Sequence, residues 1–201
     1  MTDARSSRTS ARRTAAKREI LDAAWTLMAR AGVAEINVRE VARAVGMRQQ
    51  SLTYYFPTKI ALLDALFADG FADLARAFGR LPANDDPVAA VVDLAVGVVD
   101  YCVANPARYH LMFQRTIPGF QPSEESHQVA LGVLSDLTDR LAAAGVTAEP
   151  DIALVRALIS GLAAEQTAND PTGRLFADQT ARGIRAIVSA TRAGKLRATS
   201  R

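Results

Sequence analysis

The chain has 201 residues, 49% of them hydrophobic and 22% charged, which fits a folded protein with a sizeable core and excludes a disordered one. Its single cysteine, Cys102, excludes an internal disulfide; no apolar run approaches the roughly 20 residues that cross a bilayer, so no membrane partner and a cytoplasmic location are expected. The net charge of +3 is divided: residues 1–60 hold eleven Lys/Arg against five Asp/Glu, and residues 61–201 hold thirteen against sixteen. A basic front with a mildly acidic rear points to a polyanionic partner for the front alone. A solvated basic tail is the plainer alternative, because six of the eleven positive charges precede Glu19.

Residues 1–15 are rich in Ser, Thr and Arg, lack apolar periodicity and read as a disordered basic arm. From Ala16, Ile20, Leu21, Ala24, Leu27, Met28 and Ala31 fall on one helical face, with Gly32 as a stop. Trp25 sits beside this face and reads as core. Asn37 caps a short helix with Val38, Val41, Ala42 and Val45 as its stripe, ended by Gly46. A second short helix spans about Arg48–Tyr55. Pro57 closes it, and Thr58 caps a long helix bearing Leu62, Leu63, Leu66, Phe67, Phe71, Leu74 and Phe78. Residues 81–87 read as a loop and Val88–Ala104 as a strongly apolar helix. Asn105-Pro106 opens a helix to about Thr116, and Ser123 caps one that ends at Gly145. Two more are expected over 149–169 and 172–193. No strand pattern occurs, so the fold class is all-α with about nine helices.

Two short helices about a glycine turn, over residues 38–57, make a helix-turn-helix, whose second helix enters the major groove. Leu52 and Phe56 face the core. Arg48, Gln49, Gln50, Ser51, Thr53, Tyr54 and Tyr55 are left outward or on the flanks. Arg reads guanine and Gln reads adenine with paired hydrogen bonds, whereas Ser, Thr and Tyr hydroxyls suit phosphate. Lys59 adds a charge at the next helix N-terminus, an anion-binding position.

Lys17–Leu66 resembles the N-terminal domain of TetR-family transcriptional regulators. The resemblance rests on the ordered features I-L-x-A-A, Gly-Val, V-A-x-x-x-G and S-L-x-Y-Y-F-P-x-K, followed by a leucine-rich fourth helix. It implies a three-helix DNA-binding domain over 16–60 and a larger helical ligand-binding and dimerisation domain over 61–201. It also implies base contacts from Arg39 and Gln49, a base or phosphate contact from Arg48, and phosphate contacts from Tyr54, Tyr55 and Lys59. Two positions depart from the family pattern. Gln50 stands where Gly or Pro is common and offers an extra base-reading amide. Thr53 stands where Tyr is common and shortens a backbone-contacting side chain.

The implied partners are a palindromic double-stranded operator, a second copy of the chain and a small-molecule effector that releases the DNA. GLAAEQTANDP, Gly161–Pro171, resembles the end of the family's penultimate helix. In the family the last two helices pair across a homodimer, which implies Leu158, Leu162, Ile184, Ile187 and Val188 at the interface; intramolecular core is the alternative. Val98–Phe120 is the expected effector wall, with Tyr101, Cys102, Tyr109, Met112, Phe113, Thr116 and Phe120 as candidates for a lipophilic or aromatic ligand. Plain core is the alternative there too. No cofactor or metal is expected: His110 and His127 lack a zinc spacing, and phosphate-loop and nucleophile motifs are missing. Repression is the expected activity. A constitutive DNA binder without an effector and an enzyme are the competing readings, with Asp93 and Asp100 on one helix as the only paired carboxylates of note.

Overall fold

The computed structural model describes residues 2–81, 84–114 and 116–194. Among them are nine α-helices and no strand: α1 Thr2–Ala31, α2 Val38–Ala44, α3 Gln49–Tyr55, α4 Lys59–Phe78, α5 Pro87–Ala104, α6 Pro106–Phe113, α7 Glu124–Ala143, α8 Glu149–Asn169 and α9 Thr180–Arg192. A single 3-10 turn, Ala177–Gln179, precedes α9.

The caps follow the sequence. Asn37, Thr58, Asp86 and Ser123 each accept a backbone N–H at the start of α2, α4, α5 and α7. Gly46 has φ +66° in the turn between α2 and α3, a left-handed conformation that side-chain-bearing residues rarely adopt. Three boundaries differ from expectation. Residues 2–15 continue α1 instead of forming a disordered arm; their alanines and arginines are strong helix formers, and the helix is already nucleated by its buried half. α6 stops at Phe113, because Gln114 turns extended and donates Nε2 to the Tyr109 hydroxyl at 2.6 Å. Residues 172–193 are not one helix. The fully buried Gln166 accepts from the N–H groups of Phe176 and Ala177 at 3.0 and 2.9 Å and donates to Gly173 O at 3.0 Å, which folds the connection back before α9 begins.

Two cores result. The front core joins α1–α3 and the first half of α4 through Ile20, Met28, Val41, Leu52, Leu63 and Leu66, and it also takes in Leu111 of α6. The rear core is built around α5, which packs against α4 and α6–α9. α5 is by length and composition apolar enough to cross a membrane, which the sequence reading did not anticipate. Its Val91, Leu94, Ala95 and Val99 are instead buried among neighbouring helices. Gly70 is what lets α6 approach α4: a Cβ there would stand 2.6 Å from Met112 Sδ.

Candidate nucleic-acid interface and effector cavity

On α3 only Leu52 is fully buried, and Phe56 just beyond it is 4% exposed. These two anchors fix which way the helix faces. Arg48, Gln49, Gln50 and Ser51 are exposed, as are Arg39 on α2 and Lys59 at the start of α4. Tyr54 is 69% exposed, a costly position for an aromatic ring without a partner. Tyr55 is half-buried against the front core and meets Tyr54 edge-on at 5.4 Å. Thr53 is half-buried and donates its hydroxyl to Gln50 O at 2.8 Å, so it is partly used within its own helix. Lys59 Nζ donates to Ala34 O at 3.0 Å and ties α4 to the loop before α2.

Two cations outside the expected set of contacts, Arg13 of the basic arm and Lys17 of the first helix, join this face. The Arg13 guanidinium lies 5.5 Å from the centre of the Tyr54 ring, and Lys17 Nζ lies 5.8 Å from that of Phe56. Helical continuity through α1 places them there, and the spacing of Arg13 from Ile20 carries that signal once the helix is extended. The outcome is an exposed row of amides and a guanidinium flanked by phenols and cations.

Gln49→Ala should cost about 1–3 kcal/mol at a matched site and relax preference at one base position. Competition assays with matched and mismatched duplexes check this, and equal losses on both would remove Gln49 from base readout. Lys59→Ala should weaken binding to every sequence and lower the salt slope by about one. A fall in Tm with an unchanged slope would confine Lys59 to its bond with Ala34.

Behind this domain lies a cavity of about 830 Å³ between α4, α5, α6, α7 and α8. Phe71, Leu74, Phe78, Leu94 and Val98 form buried walls, and Gln114, His127, Arg156 and Ser160 supply polar groups. Of the residues expected to line it, Met112, Phe113 and Phe120 do. Tyr101, Cys102, Tyr109 and Thr116 lie elsewhere. Tyr109 and Cys102 are packed in the rear core, where burial pushes the Cys102 thiol up to about 12 and keeps it protonated. Thr116 is exposed on the loop after α6. Tyr101 turns towards α4 and donates to Gly70 O at 3.1 Å; burial raises its phenol above the usual range, with the Arg108 charge opposing. The contributions of α4, α7 and α8 escape sequence reading, because a helix face lining a cavity and one lining a solid core share the same periodicity.

The front domain and the cavity are joined by a polar junction. Asp69 of α4 accepts from Trp25 Nε1 of α1 at 2.8 Å and pairs with Arg18 and with Arg108 of α6. Arg108 lies over the Trp25 ring at 4.5 Å and reaches Asp73 at 3.4 Å. Asp93 and Asp100 have separate partners, Asn84 at 3.0 Å and Arg174 at 2.9 Å, rather than each other.

At the expected dimer face, Ile184 and Val188 are fully buried in the rear core and therefore unavailable to a second copy. They are the inward side of α9, whose outward side carries Arg182, Arg185 and Ser189. Leu158, Leu162 and Ile187 are half-buried.

Comparison with known proteins agrees with this architecture. Residues 20–66 match the model of the tetR family of bacterial regulatory proteins, and residues 91–191 match the tetracyclin repressor-like C-terminal domain. The HTH-type transcriptional regulator Rv1816 of Mycobacterium tuberculosis is 32% identical over 124 residues, 59% of this chain and 52% of that protein. The match thus spans about half the length of this curated relative. The regulatory protein SCO4313 shares the fold with a TM-score of 0.72 at 20% identity, covering 90% of this chain and 98% of that one. RolR, in complex with resorcinol, shares it with a TM-score of 0.61 at 19% identity, covering 90% and 96%. With a helix-turn-helix in front, a cavity behind and both halves matched, the chain belongs to the TetR family of DNA-binding transcriptional regulators.

Proposed function

We propose that the protein is a cytoplasmic repressor that binds a palindromic operator as a homodimer and leaves it when a small, mostly apolar effector fills the cavity. The observation that carries this reading is the double membership of α4. Its Leu62, Leu63 and Leu66 belong to the front core, while Phe67, Phe71, Leu74 and Phe78 line the cavity one turn further on. Leu111 and Phe120 likewise touch both the cavity and the front core. A ligand that displaces these side chains must repack the base of the DNA-binding domain. In a dimer, two recognition helices about 34–36 Å apart reach successive major grooves, and a ligand that favours another spacing weakens the fit. The apolar lining suits a lipophilic or aromatic effector, and RolR, which shares the fold, is complexed with resorcinol.

The homodimer face is assigned to the outward side of α8. Leu154 is 42% exposed there and a Cβ on Gly161 would meet nothing within 4 Å, while Leu158 and Leu162 lie half-buried at its edge, Leu158 against Gly183 of α9. A small residue between leucines allows a second helix to approach closely.

The test is fluorescence anisotropy of a selected operator with and without a ligand found by thermal-shift screening. Operator affinity should fall, and the ligand's affinity for the operator-bound protein should fall by the same factor. Unchanged operator affinity at saturating ligand would leave a constitutive DNA binder.

A further inference from the structure

We infer that the effector is an amphipathic carboxylate whose apolar body fills the α4–α5 side of the cavity and whose carboxylate is held by Arg156; the inference rests on the effector reading above. The lining divides by depth. Its buried members, among them Leu74, Phe78, Leu94 and Val98, are apolar, whereas its charged or protonatable members, Arg156 and His127, are both exposed. No carboxylate lines the cavity among the described residues.

Arg156 is the one arginine in the cavity lining among the described residues, and like other exposed arginines such as Arg182 and Arg185 it is not used in an ion pair of the fold. Arg18, Arg76, Arg108, Arg140 and Arg174 each pair with an aspartate. Arg156 has no ion pair among the described residues. Its helical neighbours three and four residues away are Ile152, Ala153, Ile159 and Ser160, so α8 offers it no carboxylate. A guanidinium binds a carboxylate through two parallel N–H···O bonds, which gives both strength and orientation. Ser160, one turn on and also in the lining, adds a hydroxyl donor. A neutral ligand of the same shape would leave this cation unused, and a cationic one would be repelled.

The experiment is calorimetric titration of the full chain with decanoate, decanol and decylamine, each below its aggregation threshold, and of the Arg156→Gln and Arg156→Lys variants. Decanoate should bind at least about tenfold more tightly than decanol, and decylamine more weakly than both. Arg156→Gln should remove the decanoate advantage and leave decanol unchanged, while Arg156→Lys should keep part of it. Because Arg156 is exposed, its replacement is compatible with folding, which the unchanged decanol affinity reports directly. Equal binding of decanol and decanoate, or an equal loss of both in Arg156→Gln, would overturn the carboxylate assignment and leave the cavity as an effector site. Saturable binding of none of the three probes would overturn the amphipathic-carboxylate assignment, while the effector reading falls only if saturating ligand leaves operator affinity unchanged.

Discussion

Asp69→Ala is expected to destabilise the protein by about 2–4 kcal/mol and to uncouple the cavity from the DNA-binding domain. The Asp69 side chain is 10% exposed and is the shared acceptor for Trp25 Nε1, Arg18 and Arg108. Removing this carboxylate leaves the Trp25 N–H without an acceptor and takes one of two carboxylates each from Arg18 and Arg108. Arg108 keeps Asp73 at 3.4 Å, but its side chain is only 16% exposed and lies against the Trp25 ring, so water replaces little of what it loses. A buried N–H left without an acceptor costs about 1–3 kcal/mol, and halving the counter-charge of a largely buried cation adds to it. Arg18 is 43% exposed and keeps Asp22, which limits the total. For a chain of this size the loss corresponds to a fall in Tm of roughly 5–15 °C. Asp22→Ala removes only an exposed ion pair and serves as the control, with a change below about 1 kcal/mol. The coupling follows from position: α6 carries Arg108 at one end and the cavity residues Met112 and Phe113 at the other. Operator affinity in Asp69→Ala should respond less to ligand while ligand affinity is retained. An unaltered Tm, or full ligand response, would show that the junction neither holds nor transmits.

Gln166→Ala is the second large effect, about 2–4 kcal/mol, and it should reach the dimer. The Gln166 amide is fully buried and its four hydrogen-bonding directions are used: Oε1 by two backbone N–H groups, Nε2 by the carbonyls of Asp170 and Gly173. Alanine leaves the Phe176 and Ala177 N–H groups without acceptors at the point where the chain turns from α8 into α9, and an unsatisfied buried backbone donor costs about 1–3 kcal/mol. The same turn carries Asp170, whose carboxylate is held below its usual range mainly by the Leu175 N–H and then by Gln166. Gln166→Glu keeps an acceptor but, when ionised, buries a charge and turns an oxygen onto the Asp170 and Gly173 carbonyls, so it should be at least as unstable as alanine at neutral pH and recover as acid protonates it. Urea denaturation ranks the three, and sedimentation reads whether the loosened α8–α9 unit still dimerises. Equal stability of all three proteins would contradict the role given to this amide.

The front half of the fold was more legible in the sequence than the rear. Asn37, Gly46, Pro57 and Thr58 punctuate α2, α3 and α4 by local backbone chemistry, and local chemistry is visible in a sequence. Leu52 and Phe56, four residues apart, fixed the facing of α3 and hence the exposure of Gln49 and Gln50. Arg13 escaped notice because the arm, rich in Ser and Thr, lacks apolar periodicity, and its helix is a continuation of the buried half of α1. In the rear domain, periodicity identified buried faces without saying what they bury against. Ile184 and Val188 follow the same heptad-like spacing whether they meet α5 or another subunit. Tyr101, Cys102 and Tyr109 were grouped with Met112 and Phe113 by proximity in sequence, yet a helix sends side chains 100° apart to different neighbours. The junction at Asp69 brings together Arg18 and Trp25 of α1 with Arg108 of α6, far apart in the chain, and Gln166 works through a turn whose shape only the assembled core sets.

The most direct measurement is a selection from random duplex DNA with the full chain, followed by titration of the enriched site at two salt concentrations. A palindromic site is expected, bound by two copies, with an affinity that falls steeply with salt and half-sites one helical turn apart. Loss of enrichment in Gln49→Ala at a defined base position would tie the sequence read to α3. No enriched site at any salt, or a single copy bound to an asymmetric site, would contradict the proposed function.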